Sequence, residues 1–123
     1  IEGGFGVHPR WSDVIRKGKM RAYVADVLEP ETIKTMTDEE LASYVQEKLY
    51  VDEAKADGHF YHAKNAEYME RVFYVCPYCG LSEFETHDDT ITCKKCKKEI
   101  QYTSSKELKG IGFDFPFRFV ADW

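Results

Sequence analysis

No run of apolar residues in this chain approaches the roughly 18 needed to cross a bilayer. No basic stretch followed by an apolar one marks an export leader, so secretion is not indicated. Positive charge is also short: 17 Lys and Arg stand against 22 Asp and Glu, a formal net charge of −5. Nucleic-acid binders draw much of their affinity from neutralising phosphates, so this deficit argues against nucleic acid as the main partner. The glycine-rich stretch Gly3-Gly4-Phe5-Gly6 lacks the Lys and Ser/Thr that a phosphate loop needs. A nucleophile elbow of the Gly-x-Ser-x-Gly type is missing. No internal repeat appears beyond two cysteine pairs, and there is no low-complexity tract.

What is present is a short, aromatic chain. Its 123 residues suit one domain, or a small domain with an appendage, and exclude a multidomain enzyme. Eight Phe, eight Tyr and two Trp can build a sizeable core despite a mean hydropathy of −0.52. Disorder over most of the chain is thereby excluded. The first residue is Ile1 rather than Met and the last is Trp123, so a piece of a longer protein is expected. Most of the acidic excess falls before Cys76, and basic residues concentrate at Arg16 to Arg21 and Lys94 to Lys98.

The patterns predict an α+β fold: a small strand–helix segment over 1–70, then a β-rich zinc ribbon over 71–123. Residues 1–12, with three Gly and Pro9, read as an irregular entry without regular helix. Lys19 to Val27 reads as a strand, closed by Glu29-Pro30. Thr37-Asp38-Glu39-Glu40 is a capping box. Leu41, Tyr44, Val45 and Leu49 then recur at spacings of three and four, predicting an amphipathic helix from Asp38 to about Tyr50, fraying toward Gly58. A second, weaker helix is expected over Ala63 to Glu70, and a strand over Arg71 to Val75. Beyond Cys76 short alternating runs replace the helical period: Leu81 to Glu85, Thr90 to Thr92 and Lys98 to Tyr102, with an Asp88-Asp89 turn. From Ile111 to Trp123, Phe113, Phe115, Phe117, Phe119 and Trp123 would share one face of a strand packed on the body of the chain. Pro116 assigns that strand to an edge.

Cys76-Pro77-Tyr78-Cys79 and Cys93-Lys94-Lys95-Cys96 carry the strongest chemical signal. Each Cys-x-x-Cys turn brings two thiolates to one metal, and two turns complete a tetrahedron around Zn²⁺. Pairs of this kind, without an export signal, favour metal ligation in a reducing compartment over disulfides. Gly80 permits a positive φ after the first pair, whereas Lys97 stands at the same place after the second. Iron in a rubredoxin-like site and redox dithiols are the alternatives to structural zinc. Four thiolates leave no open coordination position, so a catalytic metal is not expected. Lys94, Lys95, Lys97 and Lys98 would offset the negative charge of the site, or else form a phosphate-binding patch. His59 and His62, with Asp57 nearby, are a candidate secondary site set against a solvated loop, and His8 and His87 complete the histidines. Arg10-Trp11-Ser12 after Pro9 reads either as an anion clamp with an interfacial ring or as a buried Trp with Arg beside it.

Taken together, Gly3-Gly4-Phe5, Pro9-Arg10-Trp11-Ser12, Arg16-Lys17-Gly18-Lys19, Thr37 to Leu41 and Ala66 to Val72 leading into Tyr74-Val75-Cys76-Pro77-Tyr78-Cys79 form an order that resembles the C-terminal part of bacterial 1-acylglycerol-3-phosphate acyltransferases carrying a zinc ribbon. The family's Asn-His-x-x-x-x-Asp and Glu-Gly-Thr-Arg motifs do not occur here. The resemblance therefore implies a non-catalytic zinc-binding region of a phospholipid-synthesising enzyme, and leaves open whether this chain counts as an enzyme. It further implies the remainder of that acyltransferase as partner, and a cytoplasmic location peripheral to the inner membrane face. The competing expectation is an independent zinc-ribbon module that binds protein or, less in keeping with its charge, nucleic acid.

Overall fold

The computed structural model describes residues 1–54 and 57–123. The fold is α+β, with few helices and two small antiparallel sheets. Helix α1 (Gly4–Val7), α2 (Pro30–Thr35) and α3 (Asp38–Leu49) occupy the first half. A 3₁₀ turn over Met69–Arg71 leads into the strands β1 (Val75–Cys76), β2 (Gly80–Leu81), β3 (Phe84–His87), β4 (Thr90–Cys93), β5 (Glu99–Tyr102) and β6 (Leu108–Gly110), and a last 3₁₀ turn covers Val120–Asp122. Strands β1 and β2 form one hairpin, and β3-β4-β5-β6 form a four-stranded meander.

Helix α3 forms where its cap predicts. The Thr37 hydroxyl accepts from Glu40 N at 3.2 Å, and the Glu40 carboxylate accepts from Thr37 N at 2.8 Å. Asp38, Glu39 and Glu40 in the first turn and Lys48 in the last also suit the helix dipole. The helix stops at Leu49, because Tyr50 is already extended. The suggested continuation toward Gly58 crosses positions 55 and 56, outside the described residues. No residue of α3 is buried. Its contact with the preceding segment is polar, through Tyr44 and Lys48 to Asp26.

Several expected elements are corrected. Residues 4–7 do form a single helical turn despite their glycines, closed by Val7 N to Gly3 O and His8 N to Gly4 O. Lys19 to Val27 is not a strand: among the described residues it pairs through the single bridge Arg21↔Glu2 and forms no ladder. The helix expected over Ala63 to Glu70 reduces to the 3₁₀ turn, and the strand before Cys76 starts only at Val75. The terminal strand is absent as well. Phe113, Phe115, Phe117 and Phe119 do alternate half-buried with exposed neighbours, but among the described residues this segment has no ladder partner beyond the bridge Phe119↔Glu107.

One hydrophobic cluster joins the first half to the ribbon: Trp11, Ala66, Met69 and Phe73 pack with Phe84, Ile91, Ile100, Tyr102 and Leu108. Period-two alternation along β4 and β5 puts Ile91 and Ile100 opposite each other on the inner face, and both are fully buried. The entry segment is held by Phe60, whose ring lies so close to Gly6 and Gly18 that a Cβ at either would come within 2.4 Å of it. The buried Arg16 ties the entry segment to the stretch before the ribbon, its Nε donating to Asn65 Oδ1 at 3.0 Å.

Candidate metal centre

The first cysteine turn is the tip of the β1–β2 hairpin, where Cys76 pairs with Gly80. Gly80 has φ 77°, which a glycine adopts without strain. The second turn joins β4 to β5. Here Lys97 takes φ 60°, so the positive-φ position is filled by a residue with a Cβ. Lys97 N donates to Cys93 O at 2.9 Å and Cys93 N to Lys98 O at 3.0 Å, fixing the turn.

These two turns face each other. Cys76 Sγ lies 3.7 Å from Cys96 Sγ and Cys79 Sγ 3.6 Å from Cys93 Sγ, and all four sulfurs fall within 4.8 Å of one another. Four thiolates around one ion at metal–sulfur distances of about 2.3 Å should stand about 3.8 Å apart, so the spacing fits a single tetrahedral ion. A [2Fe–2S] or [4Fe–4S] cluster distributes its thiolates over different irons separated by bridging sulfides and needs a wider cysteine frame. The four sulfurs here do not fit such a cluster.

Electrostatics around the thiols is uneven. Desolvation, with contributions from its thiol neighbours, pushes Cys79 up to about 12. Burial also raises Cys93, but N–H groups of Cys96 and Lys95 and the Ser82 hydroxyl donate to its sulfur and bring it down to about 6. The Ser82 oxygen is 3.1 Å from that sulfur. Cys76 is raised, chiefly by burial, and the N–H groups of Tyr78 and Cys79 work against that shift. One cysteine of each turn, Cys76 and Cys93, is buried, whereas its partner is half-exposed.

Three of the four lysines around the second turn make specific contacts. Lys95 Nζ donates to Cys79 O at 3.0 Å, tying one turn to the other, and Lys94 pairs with Glu83 at 3.2 Å. Lys98 lies over the rings of Tyr78 and Phe113, at 4.7 and 4.4 Å.

The C-terminal segment closes over the first turn, an arrangement the sequence did not announce. Trp123 stacks on Phe73 with centroids 3.9 Å apart, and its Nε1 donates to Val75 O at 2.8 Å, directly before Cys76. Phe84 and Phe115 pack edge-on against the same indole. Tyr78, inside the first turn, donates to Asp114 O at 2.7 Å. The available signal was the alternation of Phe113 to Phe119, read as a strand when it is a clamp.

The other candidates are not brought to this centre. Trp11 is buried and packs edge-on with Phe5 and Tyr102, in keeping with the expectation of a buried Trp. Arg10 is exposed and lines a cavity of about 420 Å³ with Phe5, Val72 and Val120. His59 meets the Ser104 hydroxyl at 3.1 Å, and His62 Nδ1 accepts from Lys64 N at 3.0 Å. Neither joins a metal-ligating group among the described residues.

The fold and the four gathered thiols define a tetrathiolate metal-binding ribbon. More particularly, residues 37–121 match the family described as membrane iron-sulfur containing protein FtrD-like, and the chain belongs to that family. Comparison with curated proteins and with solved structures finds no match. The family assignment corrects the acyltransferase resemblance: the matched region takes in Thr37 to Leu41 and Ala66 to Cys79, on which that resemblance rests. The roles drawn from that resemblance, in phospholipid synthesis and as a fragment of such an enzyme, fall with it.

Proposed function

We propose that this chain is the metal-binding ribbon of a membrane-associated protein, and that Cys76, Cys79, Cys93 and Cys96 hold one Zn²⁺ ion that organises it. The observation that carries this reading is the mutual approach of the four sulfurs to within 4.8 Å. Zinc suits a closed shell of four thiolates and makes no demand for an open position. It would bring the two turns together and hold them in place. The membrane association rests on the family description. No helix among the described residues is long and apolar enough to cross a bilayer. Reduced thiolates persist in a reducing compartment, which favours the cytoplasmic face. The net charge of −5 favours a protein or membrane-protein neighbour over nucleic acid.

A second reading has its own support, because the family description names iron and sulfur. A single iron in the same four thiolates would supply one-electron redox chemistry within the same geometry. Metal analysis and optical spectra of protein purified without added metal decide between them. One zinc per chain and a colourless protein support the first reading. One iron per chain with thiolate-to-iron charge-transfer bands supports the second and overturns zinc. Acid-labile sulfide in stoichiometric amount overturns both, since a single ion carries none. In Cys93→Ser the metal should be lost in either case.

A further inference from the structure

We propose a second metal site on the outer surface of the ribbon, formed by Glu67, His87 and Asp88, for a labile divalent ion of the first transition row. One ligand atom from each of these residues lies within 4.8 Å of the other two. Two of them sit at the tip of the β3–β4 hairpin: His87 ends β3, and Asp88 follows in the turn with φ 53°. His87 Nε2 is 3.6 Å from Asp88 Oδ2. The third comes from a different stretch of chain, and backbone bonds on both sides of it deliver it there. Ala66 N donates to Asp88 O at 2.7 Å, and Tyr68 N donates to Thr86 Oγ1 at 3.0 Å. The backbone of Glu67, between them, is therefore placed against the hairpin tip by these two bonds.

The donor set is one imidazole and two carboxylates. That combination suits Mn²⁺ and its neighbours in the row, and is unlike the soft thiolate set of the cysteine centre. Three ligands on one side leave the remaining positions to water, so the ion exchanges readily. His87 is 88% exposed and Asp88 60%, whereas Glu67 is only 18% exposed. Lys64 Nζ is 3.2 Å from the Glu67 carboxylate, and the ion would compete with it.

The test uses the full chain with its cysteine centre loaded, titrated with Mn²⁺, which does not compete well for thiolates. Loss of the free-ion electron paramagnetic resonance signal counts bound Mn²⁺, and broadening of amide resonances locates it. The expected result is one Mn²⁺ per chain, with broadening centred on residues 66–68 and 86–89. His87→Ala and Glu67→Gln should each weaken binding about tenfold or more, as losing a ligand costs at least what losing its supporting partner does. Lys64→Met, which removes the competing cation, should tighten it. His87 is so exposed that its substitution leaves the fold intact, which unchanged amide shifts elsewhere would verify. No binding at millimolar Mn²⁺, broadening centred elsewhere, or unchanged affinity in His87→Ala overturns the site.

Discussion

Replacing Trp123 by alanine should destabilise the ribbon and loosen its metal together. Truncating a fully buried large aromatic costs ~3–5 kcal/mol. Trp123 is half-buried, so about half of that applies, roughly 2 kcal/mol. Its Nε1–H bond to Val75 O is also lost, which adds about 1 kcal/mol. The sum is roughly 3 kcal/mol, a fall of about 10 °C in the unfolding midpoint for a chain of this size. Trp123→Phe keeps a ring over Phe73 but removes the donor, so about 1 kcal/mol is expected. Thermal unfolding of the metal-loaded protein, at fixed total metal, measures both. Because Val75 adjoins Cys76, the alanine variant should also surrender its ion faster to a chelator, and the phenylalanine variant only slightly faster. Equal midpoints in all three proteins, or a large loss of stability with unaltered metal release, would refute the idea that this indole clamps the first cysteine turn.

Lys97→Gly should raise stability by roughly 0.5–1 kcal/mol, since glycine relieves the left-handed backbone at φ 60°; a denaturant midpoint that falls would contradict it. Thr37→Ala removes one half of the capping box and should cost about 1 kcal/mol of local helix stability. Because α3 buries nothing, that loss should show in helical circular dichroism and in amide exchange over residues 38–42, and hardly at all in the global midpoint. Glu107 is held below its ordinary value of 4.5 by hydrogen bonds from Arg118 and Lys109. Its contribution is therefore complete above that value and is lost as pH falls through the lowered one. Acidification should release the segment around Arg118, monitored by its amide resonances, and Glu107→Gln should abolish that pH dependence.

Local signals were legible in the sequence, and long-range ones were not. The capping box at Thr37 and Glu40 specifies its own helix start, because both bonds lie within four residues. The two Cys-x-x-Cys turns likewise declare themselves, since each needs only a tight turn, and Lys97 indeed pays no attention to the glycine preference of that position. Lys19 to Val27 has strand-like residues, but a strand needs a main-chain partner, and among the described residues only Glu2 supplies one, at Arg21. The Phe alternation from 113 to 119 gave the correct period of burial with the wrong hydrogen bonding: Pro116 lacks a donor, and the rings are held by other rings instead of a ladder. Arg16 illustrates a further limit. It was read within a basic stretch, yet it is buried against Asn65, 49 residues away, with burial itself lowering its pKa.

The two sheets depend on the metal to different degrees. The four-stranded sheet has its own core in Ile91, Ile100, Tyr102 and Leu108, all buried, and ten residue pairs in register support it without any ion. The β1–β2 hairpin has two pairs, Val75↔Leu81 and Cys76↔Gly80, and Leu81 is exposed. A hairpin that short is not stable in water by itself. What holds it is external: the thiolates of Cys76 and Cys79 toward the second turn, the Lys95 bond to Cys79 O, and the Trp123 bond to Val75 O. The second turn, by contrast, is continuous with β4 and β5 and is closed by main-chain bonds at Cys93. An ion held by the four thiolates would therefore work as a cross-link from a self-supporting sheet to a hairpin that cannot support itself. The aromatic clamp acts on that same hairpin from the other side, so the metal and the C-terminal rings are coupled through the residues between Val75 and Leu81.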